Sequence, residues 1–259
     1  MPTIIACYKW VLDEQDIKIN PGNLDLDTSR AKSKISEYDR NAIEEAVLQG
    51  EKMGAEVASL TFGSSNAKQS LKDALSRGPG KAYWVNDDLA NKADAFVTAN
   101  VLAAALKKIG QYDVILCGEG ASDTYAQQVG PRVATLLGIP AITFVSEMKI
   151  EGDKVVATRK IGDCTEEVTV PFPVVVTLLP EINKPRIPSL KQVLGAAKKP
   201  TTEWSVADLG LTAEETTAKN KVKSVKGFVM SRKNVIYKDG APADKVASLV
   251  ASLTKEGVL

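Results

Sequence analysis

An α/β fold, an open and mostly parallel sheet with helices on both faces, is predicted by two observations. Short apolar runs alternate with helix-period segments through the first two thirds of the chain, and such a β-α-β-α order implies parallel strands joined by helical crossovers. Beyond residue 145 the order changes to consecutive strand-like runs, which predicts antiparallel edge strands added to the same sheet.

Residues 2–8, TIIACYK, read as the first strand. Residues 9–35 form a polar connection in which DIKIN and LDLD are expected to pair as a hairpin around Pro21, Gly22 and Asn23. A helix then starts at Ser36, a good N-cap, with Asp39 three residues on in the manner of a capping box and Ala42, Ile43, Ala46 and Val47 at helical spacing. Residues 56–62 (EVASLTF), 82–85 (AYWV), 113–117 (DVILC) and 139–145 (IPAITFV) follow as strands. The intervening helices carry Leu71, Ala74 and Leu75, then Phe96, Ala99, Leu102 and Leu106, stopped by Gly110. A helix is expected over 123–137, where Pro131 either kinks it or marks the first turn of its second part. A hairpin turning at Gly152 and Asp153, then EEVTVP and PVVVTLL, complete the sheet. After Pro180 the periodicity fades until an amphipathic helix at 242–256. The organisation read from this is a nucleotide-binding domain at 1–183 and an arm at 184–259 that, unable to build its own core, packs on a partner.

Composition narrows the function. The 259 residues are 44% hydrophobic and 25% charged with a net charge of +1, so no global field points to nucleic acid or to a membrane surface. No apolar run is long enough to span a bilayer, and the N-terminus lacks a basic leader, which gives a cytoplasmic expectation. Cys7, Cys117 and Cys164 are odd in number and widely spaced, indicating neither a disulfide framework nor a zinc site. The chain has no histidine, which excludes histidine-based triads, ligands and proton shuttles. No P-loop or nucleophile elbow occurs either. Redox chemistry here would require a bound cofactor.

In open parallel sheets ligands bind beyond the carboxyl ends of the strands, where the strand order reverses. Four segments should converge there: residues 6–9, 36–40, 62–66 and 118–130. The last reads GEGASDTYAQQVG. Gly118 and Gly120 permit close backbone approach, and small polar groups follow where a helix is expected to begin, so that its free N–H groups and dipole favour a phosphate. An ordinary βα turn capped by Ser122 or Asp123 fits the same residues.

Several long segments in order, ACYKWVLDEQDIKIN at 6–20, KISEYDRNAIEEA at 34–46, LSRGP at 75–79, ILCGEGASDTYAQQVGP at 115–131 and IPSLKQVLGAAKKP at 187–200, resemble the electron transfer flavoprotein beta subunits. The likeness is closest to the Fix type, which includes the carnitine-reduction and caffeyl-CoA reductase forms. The resemblance implies an adenine nucleotide hydrolase-like, Rossmann-like fold without hydrolase activity, consistent with the lack of an SGGxDS loop. It implies a heterodimer with an alpha subunit that carries its own FAD. In this subunit it implies a second nucleotide: structural AMP in simple members, or FAD in electron-bifurcating members that take electrons from NADH and pass them to ferredoxin or flavodoxin and to an acyl-CoA dehydrogenase-type partner. Gln127, Gln128 and Val129 stand where AMP-only relatives carry an Asn-Gln-Thr-like triplet, which favours FAD. By position the resemblance places Cys7 and Lys9 beside the nucleotide, Ser36, Tyr38 and Asp39 near adenine or ribose, and Phe62, Gly63 and Ser64 against the base. Asp123, Thr124, Gln127, Gln128 and Val129 surround the phosphates, and Gly118, Glu119, Gly120 and Ser122 are expected to line the same nucleotide site. Leu190 matches the leucine that docks on dehydrogenase partners. The segment from Arg159 to Cys164 is less acidic before its glycine than is usual in the family.

Overall fold

In a computed structural model, which describes residues 2–228 and 232–259, the chain forms two compact units. Residues 2–18 with 27–224 make the first, and residues 19–26 with 225–228 and 232–259 the second. Met1 and residues 229–231, which belong to the expected domain and arm respectively, lie outside the described residues.

In the first unit a nine-stranded sheet has the order β11-β10-β9-β12-β8-β1-β6-β7-β13. Its strands are β1 (Thr3–Cys7), β6 (Glu56–Gly63), β7 (Lys81–Asn86), β8 (Val114–Gly118), β9 (Ala141–Glu151), β10 (Lys154–Ile161), β11 (Cys164–Pro171), β12 (Val174–Leu178) and β13 (Thr201–Trp204). Pairing is parallel from β9 through β13, and only β10 runs against its neighbours. The remaining numbers belong to two short ribbons: β2 (Trp10–Leu12) with β5 (Ser33–Ile35), and the expected hairpin, β3 (Lys18–Ile19) with β4 (Leu26–Asp27).

Helices α1 (Glu37–Met53) and α2 (Lys68–Ser76) lie against one face of the sheet, where Ala42, Ile43 and Ala46 meet Ile4, Ala6, Leu116 and Val176. Helices α3 (Ala95–Ile109) and α4 (Val129–Leu137) cover the other, where Leu102, Leu106 and Val133 meet Ile5, Leu60, Ile115 and Val175. Successive residues of one strand thus serve opposite cores, as the pleat requires. Helix α3 begins on Asp94, whose carboxylate accepts the Val97 N–H at 3.0 Å, and ends at Gly110 in the left-handed region, φ 80.

Three expectations change. PVVVTLL is not an edge strand: β12 inserts between β8 and β9 and is buried along its whole length. Its unbroken apolar run is what burial on both faces demands. The capping box at Ser36 does not form, because the Asp39 carboxylate and the Ser36 hydroxyl both turn to other backbone groups. The helix expected from residue 123 begins at Val129: Tyr125 and Gln127 hold left-handed backbones, φ 44 and 55, that no α-helix accommodates, and Pro131 sits in the first turn, where its missing N–H is no loss.

Residues 184–224 belong to the first unit. Helix α5 (Leu190–Ala196) starts with a capping box of Ser189 and Gln192 and buries Ala196 beside Leu71, Leu75 and Trp84. The Lys199 ammonium donates to the carbonyls of Leu75, Gly78 and Pro79 at 2.8, 3.2 and 2.7 Å, closing the end of α2. Lys199→Met strands these acceptors at the negative helix end, and a loss of about 1–2 kcal/mol is expected in denaturant unfolding. A change below roughly 0.3 kcal/mol would count against this reading.

In the second unit the Gly227 N–H donates to the Leu24 carbonyl at 2.7 Å and Lys226 pairs with Asp25. Helix α6 (Pro242–Lys255) exposes Val246, Leu249 and Val250. Among the described residues no helix is long and apolar enough to cross a membrane.

Candidate functional site

The chain leaves β1 for β6 and β7 on one side, then returns to place β8 on the other side of β1. Helix α1, which follows β5, starts beside the end of β1, and α4 follows β8; they cover opposite faces at the topological switch point of the sheet, where a ligand cleft is expected.

Asp39, on the first turn of α1, closes the floor of this cleft. Its carboxylate accepts the Lys9 N–H at 2.8 Å and the Gly118 N–H at 3.2 Å, so one side chain ties together the ends of β1 and β8. Burial pushes the Asp39 carboxyl up to about 7, against the pull of these two donors and of the Lys9 ammonium. Gly118 must be glycine here, since a Cβ would stand 2.7 Å from the Asp39 Oδ1 and 2.8 Å from the Tyr38 Cβ. Ser36 reaches the opposite rim, its hydroxyl accepting the Ser122 N–H at 3.3 Å. Cys7 and Cys117 are buried free thiols beneath the floor, and the neighbouring Cys7 side chain, with burial, raises the resistance of the Cys117 thiol to ionisation.

The rim is the loop 119–128. Glu119, buried, receives the Tyr125 hydroxyl at 2.8 Å and the Gln127 amide at 3.3 Å, and this holds the two left-handed residues in place. The Glu119 carboxylate beside it pushes the Tyr125 phenol up to about 12. A Cβ on Gly120 would fall 2.8 Å from the Tyr125 ring. The Tyr38 and Tyr125 rings lie 5.2 Å apart, and the Lys9 ammonium meets the Asp123 carboxylate at 2.5 Å. Sequence reasoning did not single out Tyr125, because a left-handed tyrosine has no local signature.

The donor set fits a phosphorylated nucleotide. The amides of Val129 and Gly130 are the free first-turn donors of α4, Pro131 having none. Gly130 brings this turn against the sheet, where a Cβ would meet the Thr177 Cγ2 at 2.4 Å. The Ser122 hydroxyl is buried with no partner in the protein, an orphan that a ligand oxygen would satisfy.

Cys7, Lys9, Ser36, Tyr38, Asp39, Gly118, Glu119, Gly120, Ser122 and Asp123 thus converge. Thr124 is exposed beside Asp123, and Gln128 turns its amide oxygen along α4 to Arg132 Nε at 3.1 Å. Phe62, Gly63 and Ser64 stand one strand over at the end of β6, with the Ser64 hydroxyl engaged by Asn66 and Asn91. Leu190 lies apart from the cleft, exposed at the start of α5. A separate cavity of about 340 Å³ flanks α1, lined by Glu37, Arg40, Arg77 and residues 185–188. Glu37 there pairs with Lys34, Arg77 with Asp73, and Arg186 with Glu44 and Glu51, whereas the Arg40 Nε is buried without a partner.

A parallel α/β sheet with an amide-lined cleft at its switch point defines the class of nucleotide-binding α/β proteins. The family model for the electron transfer flavoprotein domain matches residues 23–209. The chain belongs to the electron transfer flavoprotein family, whose members bind flavin or nucleotide, transfer electrons and pair with a second subunit.

Proposed function

We propose that this chain is the beta subunit of a Fix-type electron transfer flavoprotein and that its cleft holds the adenosine and phosphates of a second FAD. The observations that carry the reading are the first-turn amides of Val129 and Gly130 at the start of α4 and, in the loop that leads into it, the partnerless buried hydroxyl of Ser122. Val129 has no hydroxyl, so its N–H alone serves the phosphate. Lys9, now on Asp123, would pair with a phosphate oxygen. Tyr38 and Asp39 shape the wall on the α1 side, and Phe62, Gly63 and Ser64 the far wall. Bound FAD supplies the redox chemistry; the chain supplies position, electrostatics and exclusion of water.

The Gln127, Gln128, Val129 stretch favours FAD over AMP, and with it a bifurcating heterodimer that draws electrons from NADH and delivers them to ferredoxin or flavodoxin and to an acyl-CoA dehydrogenase-type protein. Residues 184–259 serve the partners: Leu190 docks the dehydrogenase, and exposed Phe228, Val246 and Leu249 meet the alpha subunit, which carries the other FAD. The cytoplasm is the proposed location.

Co-expression with an alpha subunit, followed by acid extraction and nucleotide counting, tests this. FAD in both subunits with no AMP is expected. AMP in place of the second FAD would remove bifurcation and leave the subunit assignment standing. A stable homo-oligomer that ignores the alpha subunit would overturn the assignment and favour a free-standing nucleotide-binding regulator.

A further inference from the structure

Residues 180–188 link β12 to α5 with little regular structure, so their backbone polar groups need partners from elsewhere. Helix α1 provides them from a face that would otherwise read as solvated. Asn41, Glu44 and Glu45 are all buried. The Asn41 amide donates to the carbonyls of Pro180 and Asn183, both at 2.9 Å. Asn183 returns its own amide to the Asn41 carbonyl and to Glu45, both at 3.0 Å. Glu44 accepts the Arg186 N–H at 3.0 Å and the Arg186 Nε at 2.9 Å, while Nη1 and Nη2 fork onto Glu51 at 2.7 and 3.2 Å. The two carboxylates push the Arg186 guanidinium further up from its ordinary range, and the guanidinium pulls Glu51 down. From α2, Arg77 donates to the Arg186 carbonyl at 3.3 Å.

Immediately after this anchorage the chain presents a group of exposed aliphatic side chains: Ile187 is 93% exposed, Leu190 74% and Leu194 61%. Apolar side chains standing in water on an irregular segment would be expected to collapse unless the backbone beneath them is pinned. The capping box of α5 and the packing of Ala196 fix the far end. The near end is held by the polar contacts to α1 and α2.

We infer that Asn41, Glu44 and Glu45 of α1, with Asn183 and Arg186, are positioning residues that hold the aliphatic loop in its docking-competent shape and so set the affinity for the dehydrogenase. This rests on the proposed docking role of Leu190. Pre-ordering a loop removes part of the entropy lost on association, so breaking the anchorage weakens binding without touching electron transfer itself.

The test uses the intact heterodimer with a purified acyl-CoA dehydrogenase that exchanges electrons with the wild type. Arg186→Met and Glu44→Gln are compared with Leu190→Ala, and Glu44→Gln keeps the test alive if the arginine variant fails to assemble. All three are expected to raise the KM for the dehydrogenase about tenfold, with kcat and flavin content unchanged. Arg186→Lys, which keeps one ion pair but loses the fork, should fall between. In Arg186→Met and Glu44→Gln, amide hydrogen exchange should accelerate over residues 181–190 and stay at the wild-type rate over 118–130. If Leu190→Ala raises KM while the anchorage variants leave KM and exchange unmoved, the inference is overturned and the docking reading survives. If Leu190→Ala leaves KM unchanged, the docking reading falls and the inference with it, even where exchange accelerates.

Discussion

Asp39→Ala is expected to destabilise the first unit by about 3 kcal/mol and to deprive the cleft of its nucleotide. The variant leaves the Lys9 and Gly118 amides buried without an acceptor, and each orphaned donor costs about 1–3 kcal/mol. It also frees β1 and β8 to drift apart at the point where the adenosine is proposed to sit. Denaturant unfolding and nucleotide content of the purified heterodimer check both halves, and stability within about 0.5 kcal/mol of wild type would contradict the account. The same carboxylate gives a pH dependence. Its folded value of about 7 lies above the ordinary aspartate value of about 3.9, so between these limits the folded chain holds a proton that the unfolded chain has released. The contribution of Asp39 to stability is therefore full below about pH 4, declines as pH rises toward 7 and is flat above. Asp39→Asn, which does not titrate, should remove that slope; an unchanged slope would place the proton elsewhere.

Gly118→Ala should be nearly as damaging although it adds a single methyl group. The new Cβ would lie 2.7 Å from the Asp39 Oδ1 and 2.9 Å from the Tyr38 carbonyl carbon, and the latter is backbone that can yield only if the start of α1 moves. Overpacking of this kind costs about 1–3 kcal/mol. Nucleotide affinity should fall at least about tenfold, because the displaced turn carries Ser36 and Tyr38 with it. Gly195→Ala is the control: it lies within α5 with nothing inside 4 Å of its Cβ, and it should be neutral or slightly stabilising. Equal behaviour of the two variants in a thermal melt would refute the steric argument.

Much of the sheet was legible because buried parallel strands and their crossover helices advertise themselves in periodicity: β1, β6, β7, β8 and β9 lie within residues of where the apolar runs put them. The position of β12 was not, since a strand's neighbours depend on which gap the preceding hairpin leaves open; its continuous apolar run fits the central place that it takes. The ribbon of β2 and β5 and the edge strand β13 are too short for a period to register.

At the site, the segments that meet were legible from strand ends and glycines, but their bonds were not. Asp39 looked like a cap for its own helix and instead serves the amides of Lys9 and Gly118. The helix start shifted from residue 123 to 129 because left-handed residues such as Tyr125 carry no sequence mark. On α1 the burial of Asn41 and Glu44 was not legible, since only the folded chain brings residues 180–186 over them.

A crystal structure of the heterodimer with its native nucleotides tests the central claim most directly. The account predicts a phosphate within hydrogen-bond distance of the Val129 and Gly130 amides, with the Ser122 hydroxyl turned to the ligand and the adenosine between the ends of β1 and β8. A nucleotide bound elsewhere, with side chains of this chain filling that cleft, would contradict it.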